Sequence, residues 1–248
     1  MQYSQRNMEE IVLNETISVL FAAGKGTRLL PLTESLPKPL IKVHGTPLIE
    51  TSITAMIQCG IRKIYIVVGY KKEQFFYLEE KYPEVTLIEN PEYDYKNNIS
   101  SFYAMGDLIG KNDCFICDSD LYIANPSVFS FRSDCTCYYG KYTPGKTSEW
   151  SCKVVDGQVV HYGQGGENDY SWVGVTYWKA ADIAFLKEAI CAEYQKPGHE
   201  QLYWDVYAGN FFDRMLVRIN PISEDDIIEI DTLDDLRCID KFYENGSI

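Results

Sequence analysis

Histidine is scarce in this chain, with three in 248 residues, and none stands at ligand spacing from another. Of eight cysteines, only Cys114/Cys117 and Cys135/Cys137 are close together, and there is a single C-x-x-C. A zinc site wants two such elements, or one with paired histidines, so this inventory argues against one. On a strand, positions three apart point to opposite faces, and free cysteine behaves as a small hydrophobe. The cysteines are therefore expected to be reduced and mostly buried. Positive charge is also short: 23 Lys and Arg face 36 Asp and Glu, a net charge of −13. A nucleic-acid partner needs a basic face and is disfavoured, although a local cationic pocket for a small anion is not. No apolar run approaches the ~20 residues of a membrane span. No secretory signal opens the chain, since Met1 to Asn14 is polar and acidic, so the expectation is a cytoplasmic protein with no membrane partner. Internal repeats are missing, as are a Walker A loop and a full G-x-G-x-x-G fingerprint. Nothing in the sequence speaks to oligomeric state.

What is present alternates. "TISVLFAAG" reads as a buried strand, "TPLIETSITAMIQCG" as a helix opened by proline and stopped by Gly60, and "KIYIVVGY" as a second strand. A helix is expected over "KKEQFFYLEEKYP", a strand over "VTLIEN", a helix over "NNISSFYAMGDLIG" and a strand over "DCFICDSDLY". Strands alternating with helices imply an α/β fold: a Rossmann-like mixed, mostly parallel sheet flanked by helices. The second half is aromatic and alternating in "DCTCYYGKY", "SCKVVDGQVVHYG" and "SWVGVTYWK", with Asp156-Gly157 a hairpin signal. This reads as a small β-rich insertion. Helices are expected at 180–194 and 200–213, a strand at "MLVRINPI", and a closing helix in "EIDTLDDLRCIDKFY" with Thr232 as its cap. The expected organisation is an arm over 1–15 and one domain over 16–248, in two halves, 16–125 and 126–248, to which the resemblance described below assigns the nucleotide and the acceptor respectively.

The stretch "AAGKGTRLLPLTESLPKPL" follows the first strand, where open α/β sheets bind ligands. Gly24 and Gly26 let the backbone come close and turn left-handed, and successive N–H groups there can form an anion nest. Arg28 and Lys38 add formal charge. Lys38 sits between two prolines, which stiffen the loop and lower the cost of ordering the side chain. A solvated βα turn is the plain alternative for the glycines taken alone; the combination suits a polyphosphate.

That same stretch resembles the signature of the nucleotidyltransferases of the sugar-nucleotide pyrophosphorylase type, and the resemblance continues through "GTPLIE" and "IVVGY". Further stretches, "YKKEQFFYLEEKY", "NPEYDYKNNISSFYAM", "TSEW", "LYWD" and "IIEIDTLDDL", resemble the bacterial CTP:phosphocholine cytidylyltransferases over about residues 17–245. The resemblance implies a nucleotidyltransferase (GT-A-like) core, CTP and a small phosphorylated amine as substrates, Mg²⁺ as cofactor and pyrophosphate as product. Phosphocholine is the first-choice acceptor; 2-aminoethylphosphonate and sugar 1-phosphates are alternatives. A catalytically inactive regulatory module is a reading of another class, against which the intact Arg28, Lys38, Asp120 and Asp205 speak. In one departure, Leu121 stands where relatives often carry asparagine.

By that resemblance Asp120 and Asp205 are the metal ligands, and Asp118 is a supporting or ribose-facing acid. Lys38 is assigned to the α-phosphate, Arg28 to the β- and γ-phosphates, and Lys25 to a flank of the triphosphate. The nucleotide site is expected to include Ala22, Ala23, Gly24, Gly26 and Thr27, with Asn98 and Ser101 against the cytosine edge and Gly69 walling the base. The acceptor's cation is expected among Glu149, Trp150, Trp172, Tyr203 and Trp204, because aromatic faces attract a quaternary ammonium by roughly 0.5–2 kcal/mol per contact.

Overall fold

The computed structural model describes residues 15–243. The arm read over 1–15 lies outside the described residues except for Glu15, whose carboxylate accepts from Lys63 at 2.6 Å.

The first strand, β1 (Ile17–Ala22), is buried along its whole length. Its side chains alternate between two cores: Leu20 and Ala22 face one, and Ile17, Val19 and Phe21 the other. A strand covered on both faces belongs in the middle of a parallel sheet. β1 indeed pairs in parallel with β4 (Ile64–Val68) on one side and β6 (Cys114–Asp118) on the other. β5 (Val85–Glu89) lies parallel beyond β4. Helix α1 (Leu48–Gln58) and the short α2 (Tyr77–Lys81) cover the first face through Ile49, Ile53, Met56 and Leu78. Helices α3 (Ile99–Ala104) and α4 (Ala180–Glu193) cover the second through Ile99, Phe102, Ile183, Leu186 and Ile190. The expected cap positions shift slightly. Pro47 precedes α1 and pairs instead in a two-residue bridge between β2 (Lys42–Val43) and β3 (Thr46–Pro47). Gly60 ends the helix with φ +83°. The helix expected over 71–83 is shortened to a 3₁₀ turn followed by α2, because Lys71 takes a left-handed φ of 49°.

The aromatic second half forms two strands rather than three or more. β8 (Thr136–Val155) and β9 (Gln158–Trp178) make one long hairpin across Asp156-Gly157, both at positive φ, as the two-residue turn requires. Register shifts let the hairpin fold back on itself: Ser151 pairs with both Gly163 and Ser171, and Cys152 with both Tyr162 and Tyr170. β9 joins β6 antiparallel, and β10 (Val217–Pro221) joins β8 in parallel. One seven-stranded sheet of order β10-β8-β9-β6-β1-β4-β5 therefore runs through both halves of the chain. The helix expected at 200–213 reduces to α5 (Trp204–Gly209), because Leu202 and Tyr203 are extended after the His199–Gln201 turn.

A pairing absent from the sequence reading closes the site. β7 (Leu121–Ile123) pairs antiparallel with β11 (Ile227–Glu229), and α6 (Leu233–Ile239) follows with the expected Thr232 cap, reciprocated by Asp235. Ile230 and Leu236 pack on Leu29, Ile41, Val43 and Leu48. This third core holds the end of the chain against the loop after β1. Leu121 is fully buried, which is why a polar residue is not needed there. The cysteines are all free, five of them buried, with Cys114 and Cys117 in opposite cores. Among the described residues no helix is long and apolar enough to cross a membrane.

Candidate active site

A crevice runs along the carboxyl ends of β1 and β6 and has three connected parts. The first is lined by Phe21, Ala22, Gly24, Gly26, Arg28, Lys38, Pro39, Asp118, Ser119 and Asp120. Gly26 (φ +63°) is required here twice over, because a Cβ would stand 2.7 Å from the Cβ of Lys38. Around Gly24 that space is open. Lys38 is only 7% exposed, and its ammonium donates to Asp120 at 2.6 Å and Asp231 at 2.7 Å. Burial pulls the Lys38 pKa down, but the two carboxylates outweigh it and hold the pKa above the ordinary lysine value. Arg28 pairs with the other oxygen of Asp231.

Asp120, Glu229 and Asp231 offer carboxylate oxygens that all lie within 4.8 Å of one another. The main-chain bond from Ile230 N–H to the Asp120 carbonyl, 3.0 Å, sets this approach. Asp120 Oδ1 is buried without a partner. Glu229 is partly exposed, yet desolvation at its carboxyl end, with Asp120 and Asp231 beside it, still pushes that carboxyl upward. Burial and then Asp120, Asp205 and Glu229 push Asp118 well above the usual carboxylate range. Asp205 does not join the three-carboxylate group. The residues that accompany Asp120 are thus Glu229 and Asp231, from the closing segment. The sequence hinted at them: "IIEID" ends an apolar strand in alternate acids, as "CFICDSD" does.

The second part is lined by Ala23, Gly24, Asn90, Tyr93, Lys96, Asn97, Asn98, Ser100, Ser101, Asp118 and Tyr203. Asn90 donates to Ser100 at 2.8 Å and Ser101 at 3.1 Å, which fixes the start of α3. Asn98 and Ser101 are where a base edge was expected. Gly69 does not line this part: it lies behind Tyr93, whose ring would be 2.6 Å from a Cβ on Gly69, and the tyrosine takes that place in the lining. Lys25 is turned outward to pair with Asp94, and Thr27 is exposed at the start of a 3₁₀ turn; neither lines the crevice.

The third part lies under the folded-back hairpin and is lined by Arg28, Asn98, Asp118, Asp120, Ser148, Glu149, Trp150, Gln164, Trp172, Tyr203, Asp205, Glu229 and Asp231. Asp205 is buried and accepts from Tyr162 at 2.6 Å, while its Oδ1 has no partner. Burial raises its pKa, and the Tyr162 hydroxyl pulls it partly back. Tyr162 stacks on Trp150 (5.5 Å, 19°), and Trp150 leans on Tyr203 at 6.0 Å. Tyr162 was missed because, in an alternating strand, its spacing equals that of a packing residue. Trp204 is the clear correction. It is 1% exposed and packs on Phe102, Phe21 and Trp178, so it is core and not a wall of this cavity. A helix turn puts adjacent residues on different sides, and here Tyr203 takes the crevice.

A family model described as nucleotidyl transferase matches residues 17–132. The chain is 43% identical over 230 residues to the 2-aminoethylphosphonate cytidylyltransferase of Lancefieldella rimae, covering 92% of this chain and 94% of that protein. It is 33% identical to the choline-phosphate cytidylyltransferase of Haemophilus influenzae, covering 90% and 95%. The solved CTP:phosphocholine cytidylyltransferase of Streptococcus pneumoniae superposes with a TM-score of 0.84 at 32% identity, covering 92% of this chain and 99% of that one.

Proposed function

The chain belongs to the nucleotidyl transferase family as one of its cytidylyltransferases, and from that premise we propose that it transfers CMP from CTP to 2-aminoethylphosphonate, releasing pyrophosphate. The observation that carries the acceptor's class is the third cavity. Aromatic faces of Trp150, Trp172 and Tyr203 stand with Glu149 and Asp205 beside the cationic phosphate side. A zwitterion with an anionic phosphoryl end and a cationic amine end matches both sides. Within that class, a primary ammonium donates three hydrogen bonds and suits Asp205 Oδ1, Glu149 and Gln164. The higher identity to the aminoethylphosphonate relative supports the same choice over phosphocholine, the acceptor expected first. Phosphocholine stays as the second reading because the same cavity has three aromatic walls.

In the reaction, an anionic oxygen of the acceptor attacks the α-phosphorus of CTP, and the bond to the β-phosphate oxygen breaks. Whether phosphonate or phosphate ester, the acceptor has lost at least its first proton well below neutral pH and already carries an anionic oxygen, so no general base is needed. The protein's part is positioning and neutralising negative charge. Lys38, stiffened by Pro37 and Pro39, serves the α-phosphate, and Arg28 the leaving phosphates. Asp120, Glu229 and Asp231 are an all-oxygen donor set, one atom of which is buried and unpartnered; they suit Mg²⁺ and would hold it. The ion supplies further charge neutralisation at the phosphates. Asp205 then serves the acceptor's amine rather than the metal.

A pyrophosphate-release assay crossing four nucleoside triphosphates with aminoethylphosphonate, phosphocholine and hexose 1-phosphates tests this. CTP with aminoethylphosphonate should be the best pair, and Glu149→Gln should harm it more than Trp150→Ala does. The reverse order of those variants, with phosphocholine the better substrate, selects the second reading. A preferred hexose 1-phosphate sinks both.

A further inference from the structure

Two adjacent asparagines open α3, where an asparagine side chain ordinarily turns back to cap its own helix, a contact worth about 1 kcal/mol. Neither does so. Asn98 has helical backbone angles and makes no cap bond to α3. Its Oδ1 instead accepts from the main-chain N–H of Trp204 at 2.9 Å, 106 residues away. Trp204 is the first residue of α5, whose N-cap residue Tyr203 supplies no side-chain cap of its own. Asn97 reaches the same segment, donating from its main chain to the Glu200 carbonyl and from Nδ2 to the Gln201 carbonyl, both at 2.8 Å. Burial raises the proton affinity of Asp205, the residue after Trp204, and the Asn98 side chain is among the groups that pull it back. Asn98 also lines both the second and the third cavities.

We infer that Asn98 is the positioning residue for the acceptor site: it caps α5 from across the crevice and so aims Asp205 at the acceptor's ammonium. The inference rests on the reading of Asp205 as the ammonium partner. It displaces the expectation that Asn98 reads the cytosine edge. An asparagine that leaves its own helix uncapped holds another here, at the point where the second and third cavities meet. The nucleotide-side start of α3 and the acceptor-side start of α5 are thereby fixed as one unit.

The test measures KM for CTP and for acceptor, and the CTP-to-UTP preference, in Asn98→Ala, Asn98→Asp, Asp205→Asn and the double variant Asn98→Ala/Asp205→Asn. Asn98→Ala should raise the acceptor KM about tenfold or more while the KM for CTP moves less than about twofold. In the Asp205→Asn background the same change should add less than about twofold, because a residue acting through another loses its effect when that partner is gone. Asn98→Asp keeps the acceptor for the Trp204 N–H but turns a second anion toward Asp205. It should raise the acceptor KM while the KM for CTP again moves less than about twofold. Loss of CTP-over-UTP preference, or a KM effect confined to CTP, overturns the inference and returns Asn98 to base recognition. An equal effect in both backgrounds overturns it in favour of general loosening. If Asp205→Asn alone leaves the acceptor KM unmoved, the assignment of Asp205 itself is wrong and the inference falls with it; that result is read from the single variant.

Discussion

The two flanks of the crevice are prepared for ligand in opposite ways. On the loop flank, Lys38 and Arg28 are already partnered, by Asp120 and Asp231. Both cations have anionic partners before any phosphate arrives, and binding exchanges one set of anions for another. On the hairpin flank, Asp205 is buried with one oxygen unpartnered under a roof of aromatic rings. An unsatisfied buried polar atom costs roughly 1–3 kcal/mol, more when charged. The cations of the loop flank thus have partners as they stand, although Asp120 Oδ1 does not, and on the hairpin flank the buried Asp205 has no cation beside it and holds a desolvation cost that a bound ammonium relieves. The difference explains why the first flank is built of glycine, proline and point charges, while the second needs a folded-back hairpin to exclude water.

The largest expected effect sharpens the boundary between the hairpin flank and the core beneath it. Trp204→Ala should lower unfolding stability by about 3–5 kcal/mol, the usual range for emptying a buried tryptophan site. Trp204→Phe, which keeps a stacking ring, should recover much of that and leave the acceptor KM close to the wild-type value. Chemical denaturation and acceptor kinetics together decide it. An acceptor KM raised by Trp204→Phe as far as by Trp150→Phe would put Trp204 back among the walls.

Next in size is the loop flank. Lys38→Met should lower kcat about 100-fold, roughly 2.7 kcal/mol, with a smaller change in KM for CTP. The lysine charge matters most where negative charge builds on the α-phosphate in the transition state. A pure KM effect in steady-state kinetics would make Lys38 a ground-state binder and the two flanks less different than described.

Legibility in the sequence follows the same division. The loop flank was readable because its chemistry is local: a strand, two glycines, an arginine and a proline-held lysine follow one another without a break from Ile17 to Pro39, so their order alone implies the site. The central strands were readable for the same reason, each being a short apolar run that ends in small or acidic residues. Glu229 and Asp231 were not assigned, because only the β7–β11 pairing and the packing of Ile230 and Leu236 on Leu29 and Leu48 bring them to Asp120. On the hairpin flank, period-2 alternation gave the strands but not the fold-back at Ser151 and Cys152, which comes from register shifts that leave no mark in composition. Tyr203 and Trp204 are adjacent and alike in sequence. Only the turn into α5 assigns one to the crevice and the other to the core.

The smallest expected effect tests whether the hairpin flank really holds an uncompensated carboxylate. Burial raises the Asp205 pKa above its value in the unfolded chain, near ~3.9 for aspartate. Below the unfolded value, the group is protonated in both states and the fold keeps its full stability. As pH rises between the two values, the unfolded chain gives up its proton while the fold retains it. Stability therefore falls with pH, by up to about 1.4 kcal/mol per pH unit, and levels off above the folded value. Asp205→Asn does not titrate, and its amide oxygen still accepts from Tyr162. Without substrates, the stability of the variant relative to wild type should grow from pH 4 to pH 7, read from urea midpoints at each pH. Asp118 and Glu229 titrate in both proteins, so the difference isolates Asp205 apart from their mutual coupling. A gap that shrinks toward pH 7 would mean that Tyr162 and the start of α5 already stabilise the carboxylate, and the contrast between the flanks would fail. Saturating acceptor should narrow the gap at pH 7, because its ammonium gives wild-type Asp205 Oδ1 the partner it lacks and gives the asparagine much less.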